Sequence, residues 1–287
     1  MRNYLKTSLL LIALTLLLVG IGHLLGGAQG ATTAFMFALL MNLGAYWFSD
    51  KIVLAMYRAK PLSEAEGPAV YRAVREIATR DRLPMPKIYW IPTMTPNAFA
   101  TGRNPKHAAV AVTSGLLKLM NDEELKGVIA HELSHVKNRD TLIMTVAAAI
   151  AGAIGMLASW ARWGMMVGGN RDERREGGNG AMQLVALLII AILAPLAATL
   201  IQLAISRSRE YAADATGAKL AGTPEGLASA LVKLEQAVRA YPLENANPAT
   251  AHLWIVNPLS AGTLANLFST HPPVQERIRR LREMRVT

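Results

Sequence analysis

"VIAHELSHVKNRD", residues 128–140, holds His-Glu-x-x-His and runs directly into a long apolar segment. On a helix, residues four apart lie about 40° apart around the axis and one turn along it. His131 and His135 can therefore direct both imidazoles at one tetrahedral Zn²⁺ ion. Glu132 lies about 100° round from His131, placed to reach a metal-bound water rather than the metal. This is the donor-and-base set of a peptide-hydrolysing metal site: the metal acidifies the water and the carboxylate takes its proton as attack begins. Val128, Ile129 and Leu133 give the same helix an apolar face to pack.

The apolar run that follows belongs to a chain rich in such runs. Of 287 residues, 52% are hydrophobic and only 17% charged, which points to a membrane protein rather than a soluble one. Four segments, Ser8–Leu25, Ala31–Phe48, Thr141–Trp163 and Ala181–Ile205, have roughly the 17–25 apolar residues needed to cross the hydrocarbon. The first two are joined by the uncharged turn "GGAQGA" and read as a hairpin. Read alone, the first could also be a cleaved signal peptide. Arg2 and Lys6 before the hairpin, and Lys51, Arg58 and Lys60 after it, place both flanks in the cytosol. The net charge of +10 follows from that topology; without a recognition motif or a basic patch interleaved with aromatics, a nucleic-acid partner is disfavoured. The absence of cysteine leaves histidine, carboxylate and water as metal ligands.

Outside the apolar runs, Ser63 and Glu66 form a capping-box pattern ahead of Val70, Val74 and Ile77 at helical spacing. "KIYWIP" (87–92) and "AAVAVT" (108–113) read as strands, with "NAFATG" (97–102) as a third strand or edge. Asn121 and Glu124 cap a helix that nothing interrupts before the third span. A further helix runs to Gly222, and Thr223-Pro224 opens another carrying Leu227, Leu231, Leu234 and Val238 on one face. Residues 241–270 read as a long loop, with Trp254 as lid, membrane contact or packing, and a basic helix closes the chain.

A zinc ion needs a third ligand. His23 lies inside a span, and His107 and His252 lie in loops. Glu210 is better placed, five residues after the fourth span as His135 is six before the third, so antiparallel pairing of those spans brings the three to one height. Asp214, one turn on, would face the same side and accept an N–H from a ligating histidine. An ordinary charged interfacial turn is the alternative for these residues.

Six ordered blocks, the hairpin, "PNAFATGR" (96–103), "AVAVTSGLL" (109–117), "HELSHVKNRD" (131–140), "SREYAADATGAKL" (208–220) and "STHPPVQERI" (269–278), resemble the HtpX-type membrane zinc metalloproteases, relatives of the CAAX prenyl protease. The resemblance implies one Zn²⁺ per subunit on His131, His135 and Glu210, with Glu132 as general base and Asp214 behind a ligand. It also implies that Asn97 and Ala98 bind an extended peptide by strand addition, and that His271 and Arg277 contact the oxyanion or a substrate carbonyl. The implied activity is endoproteolysis of misfolded or damaged membrane proteins, or of unfolded polypeptides, at the cytosolic face of a prokaryotic inner membrane.

The expected fold is a mainly α integral membrane protein, with four transmembrane helices and a cytosolic gluzincin-like α+β metalloprotease domain carrying a small sheet. Its parts are a hairpin (1–50), two protease segments (51–140 and 207–287) and a second hairpin (141–206) between them. The competing expectation is a non-catalytic membrane scaffold tied together by structural zinc. Glu132 argues against it, because a structural site is closed by four protein ligands and needs no base.

Overall fold

The computed structural model describes residues 2–150, 207–240, 253–256 and 272–285. Most of the expected third span, all of the fourth, the excursion between them, and His252 and His271 lie outside these residues.

Helix α1, Arg2–Met56, is two helices joined at Gly26 and Gly27, whose backbone angles leave the helical region; Gly27 has φ 58°, which suits a residue without Cβ. The arms fold back on each other as the sequence predicts. Asn42 Nδ2 in the second arm donates to Thr15 Oγ1 at 2.8 Å and Leu11 O at 3.3 Å in the first. A Cβ on Gly30 would overlap the Gly22 carbonyl, so the arms approach this closely only as glycines. Gly26–Met56, 31 residues, is long and apolar enough to cross a membrane, whereas the apolar helix of the first arm is the shorter Leu11–Gly20. Of the four expected spans, one is evident among the described residues. Its outer face exposes Phe35, Leu40, Leu43, Trp47 and Phe48, while Ala38, Ala45, Ser49 and Val53 bury the other against the protein.

The sheet has the order β1-β2-β4-β3, with β1 Lys60–Pro61, β2 Lys87–Ile91, β3 Ala98–Thr101 and β4 Ala109–Thr113. β2 and β4 run parallel, and β3 is the antiparallel edge beside β4. Alternation divides its residues between two cores. Ile88, Ala98, Ala100, Val110 and Val112 join the core that contains α2 (Pro68–Arg80), α4 (Asp122–Lys137) and α7 (Glu225–Ala240). Ile91, Phe99, Ala109 and Ala111 join Val53 and Leu54 of α1 and Ile143, Met144 and Ala147 of α5 (Thr141–Ile150).

Two local expectations are corrected. The Ser63–Glu66 pair forms, but as a turn ahead of α2, which starts at Pro68 with Gly67 as its N-cap. The helix expected to run unbroken into the third span stops at Lys137. Asn138 caps it, Arg139 takes φ 59°, and the chain turns before α5 begins at Thr141. The N-terminal cap of α4 forms as expected, with the Asn121 and Glu124 side chains each accepting from the other's backbone N–H. α3, Ser114–Leu119, follows β4 directly. After the undescribed stretch come α6, Arg207–Ala221, ended by Gly222 at φ 86°, then α7, and α8, Val274–Glu283.

Candidate metal centre

α4 is the central helix, packed against α2, α6, α7 and β3. α6 crosses it so closely that a Cβ on Gly217 would lie 2.9 Å from both the Cα and N of His131. Ser134 Oγ ties the crossing by donating to His131 O, in its own helix, and lying 3.0 Å from Ala213 O in α6. This approach carries Glu210 to the histidines. His131 Nε2 lies 3.8 Å from Glu210 Oε2, and His135 Nε2 lies 3.6 Å from Glu210 Oε1.

Each histidine is backed by a carboxylate. His131 Nδ1 lies 2.9 Å from Asp214 Oδ1, and His135 Nδ1 lies 3.4 Å from Asp140 Oδ2. With a carboxylate oxygen beside each Nδ1, both Nε2 atoms face Glu210. Asp140 was not anticipated. Its signal is the Asn-Arg-Asp turn after the motif: the left-handed Arg139 swings the next residue back, and Asp140 N donates to His135 O at 2.9 Å.

Glu132 reaches the edge strand, where its Oε2 accepts from Ala100 N at 2.8 Å. Burial pushes its carboxyl up to about 8, opposed first by His135 and then by the Ala100 N–H. Burial alone would lower His135, but the carboxylates of Asp140, Glu210 and Glu132 outweigh it and hold the imidazole at about 9. His131 is lowered, burial outweighing Asp214. Asp214, despite burial, is drawn down to about 2 by Arg277 and His131.

Arg277 is buried and extends its fork to Asp214, with Nε on Oδ2 at 2.9 Å and Nη2 on Oδ1 at 2.7 Å. Its Nη1 donates to Ile255 O at 2.8 Å and lies 3.9 Å from Glu210 Oε2. Arg277 thus holds the carboxylate behind His131. Asn97 and Ala98 do lie at the sheet edge beside Glu132, but each is only 1% exposed. Asn97 Oδ1 accepts from Ile255 N at 3.0 Å, so one residue of the expected loop bridges the edge strand to Arg277. Trp254 packs, with its Nε1 donating to Tyr57 Oη at 2.8 Å.

The residues fit a cation. The ligand atoms of His131, His135 and Glu210 lie within 4.8 Å of one another. Their His-to-Glu separations of 3.6 and 3.8 Å are close to the roughly 3.3 Å between donors around tetrahedral Zn²⁺ at bonds of about 2.0–2.1 Å. Asp140, Glu210 and Asp214 are buried around the two imidazoles, and with Arg277 engaged by Asp214 the remaining carboxylate charge is one that a divalent ion would offset. Two imidazoles and one carboxylate, with a second carboxylate left for a base, are the donors of a catalytic rather than a closed structural zinc site.

Comparison with known proteins agrees with the geometry. Peptidase family M48 matches residues 64–285. A protein named "Protease HtpX homolog" from Syntrophobacter fumaroxidans is 57% identical over 284 residues, 99% of this chain and 100% of that one. Another of that name, from Pyrococcus furiosus, is 57% identical over 281 residues, 98% of this chain and 96% of that one. The crystal structure of S. mikatae Ste24p superposes with a TM-score of 0.50 at 19% identity, covering 98% of this chain and 65% of that one. At that identity the likeness concerns the fold alone.

Proposed function

From the premise that the chain belongs to Peptidase family M48, we propose that it is a zinc-dependent integral-membrane endopeptidase. Its substrates are misfolded or damaged membrane proteins, which it cuts at the cytosolic face of a prokaryotic inner membrane in a quality-control role. The observation that carries the reading is the convergence of His131, His135 and Glu210 in the same buried cluster as Glu132, whose Oε2 accepts from Ala100 N.

When bound, the ion supplies the Lewis acidity that brings a water's pKa toward about 7 and polarises the substrate carbonyl. Glu132 accepts the proton of the attacking water and returns it to the leaving amine. Asp214 and Asp140 hold the two imidazoles in the orientation that leaves Nε2 for the ion, and Arg277 holds Asp214. The edge of β3 offers backbone groups to an extended peptide, with Asn97 and Ala98 at its start. Because these residues are buried, the edge must open for a peptide to enter. For His271, which lies outside the described residues, the proposed role remains the oxyanion contact that the resemblance implies.

The test pairs detergent-purified wild type with Glu132→Gln, measuring zinc per chain and cleavage of casein and of membrane proteins. Full zinc in both, with cleavage lowered roughly 10²–10⁴-fold in the variant, is the expected outcome. Zinc in both and cleavage by neither would leave a structural-zinc scaffold as the better account.

A further inference from the structure

The direction of β3 relative to the hairpin is fixed by two contacts. Phe99 meets Tyr57, just past the end of α1, with 5.4 Å between ring centroids. Arg103, just past the strand, lies 4.7 Å from the centroid of Trp47. Four residues of strand advance ~13 Å and ten residues of helix ~15 Å, so β3 runs alongside the last turns of α1 and back toward its apolar stretch. α5 agrees, since Thr101 Oγ1 lies 3.1 Å from Thr145 Oγ1, one turn into that helix. Tyr46, Trp47 and Phe48, with Lys51 over the Phe48 ring, lie near the C-terminal end of the candidate span Gly26–Met56 and have the composition of an aromatic belt at a membrane–water interface, which we take to mark the bilayer surface. The C-terminal end of β3 therefore points at the bilayer surface and Asn97 away from it.

The pairing decides which groups face the outer edge, which is buried in this arrangement and has to be uncovered before a chain can pair with it. Thr113 N donates to Asn97 O at 3.0 Å, so the next pair, Ala98 with Val112, is the kind whose N–H and C=O turn outward. Ala100 is turned outward too, with its N–H held by Glu132. An incoming chain that pairs antiparallel, the more stable ladder, closes both Ala98 bonds on a single residue. Its residue opposite Ala100 finds that N–H occupied, so its own carbonyl stays unpaired beside Glu132.

Resting on the metalloprotease reading, we propose that this site takes polypeptides whose membrane-embedded part precedes the scissile bond: tails that follow a transmembrane segment. The chain descends from the bilayer along β3 in the opposite sense and leaves past Asn97. Hydrolysis breaks the C–N bond, adds hydroxide to the carbonyl carbon and a proton to the amine. The new carboxylate stays with the membrane fragment, and the new amino terminus leaves with the tail. Three residues of strand from Ala100 to Arg103 span ~10 Å, so cuts fall within about ten residues of the membrane.

The experiment uses the full chain with zinc in lipid vesicles. One unstructured segment is supplied in three forms: after a transmembrane helix, before one, and free, with the tethered segment on the side of the site in both chimeras. Tethering after the helix is expected to give cleavage at least ~10-fold faster than tethering before it. Equal rates or the reverse order overturn the inference while leaving the protease reading intact, provided the free segment is cut. Cleavage of none of the three overturns both. A readout independent of turnover uses the absence of cysteine from the chain. In a Glu132→Gln background, Arg103→Cys should form a disulfide with a cysteine placed on the N-terminal side of the segment's cleavage position. Preferential crosslinking to the C-terminal side overturns the proposed direction.

Discussion

Asp140 and Asp214 show how single residues tune the centre. Each carboxylate sits behind one histidine, so losing it frees the ring to rotate and lowers its basicity as a ligand. Asp140→Ala and Asp214→Ala should each weaken zinc binding by roughly 10–100-fold, measured by competition with a chromophoric chelator. His135, held at about 9 without metal, must shed its proton to become a ligand. Zinc affinity should therefore rise with pH up to about 9 and then level off, with proton release on binding at pH 7.5 detected by calorimetry in buffers of different ionisation enthalpy. An affinity flat from pH 6 to pH 9 would contradict this assignment. Arg277→Ala leaves Asp214 as a buried, poorly compensated charge and should cost about 3–5 kcal/mol, read from denaturant unfolding.

At the scale of elements, the centre depends on how closely α6 crosses α4. Gly217 has ordinary helical neighbours in sequence, yet its missing side chain is what allows Glu210 to reach the histidines. Gly217→Ala improves local helix propensity by about 1 kcal/mol but puts a methyl against the His131 backbone. The helices must part, and zinc content should fall while far-ultraviolet circular dichroism stays unchanged. Retained zinc at full affinity would mean that the crossing has slack. The break between α4 and α5 matters in the same way. An unbroken helix would carry Asp140 past His135, whereas the left-handed Arg139 returns it.

At the scale of the molecule, α4 and α6 come from two segments separated by the long 141–206 stretch, and an ion held by His131, His135 and Glu210 would join them. Removing zinc with a chelator should lower the thermal midpoint, and restoring it should raise the midpoint in proportion to the logarithm of free metal. Acid acts on the same joint. Asp214 is drawn down to about 2 in the folded protein, against about 3.9 when unfolded, so its stabilising contribution is complete above pH ~4 and disappears as the pH falls through 2. Metal-free wild type should therefore lose stability across that window more steeply than Asp214→Asn, measured by unfolding at each pH.

The amino-acid sequence by itself determined what depends on neighbours a few residues away. His131, Glu132 and His135 are read from helical spacing, the Asn121 cap from its Glu124 partner, and the strands at 87–92 and 108–113 from their residue types. It also pointed to an apolar segment long enough to cross hydrocarbon, Gly26–Met56 in the structure, because crossing demands a length and composition visible in any window. Glu210 and Asp214 needed more: a count of residues from each span, and the family likeness. Only the tertiary structure decided the rest. It settled that Arg277 grips Asp214, that Ile255 bridges Asn97 to Arg277, that Asp140 backs His135, and that β3 points toward the hairpin. These partners are mostly far apart in the chain, and their meeting depends on helix crossing and sheet order, which periodicity and capping do not encode.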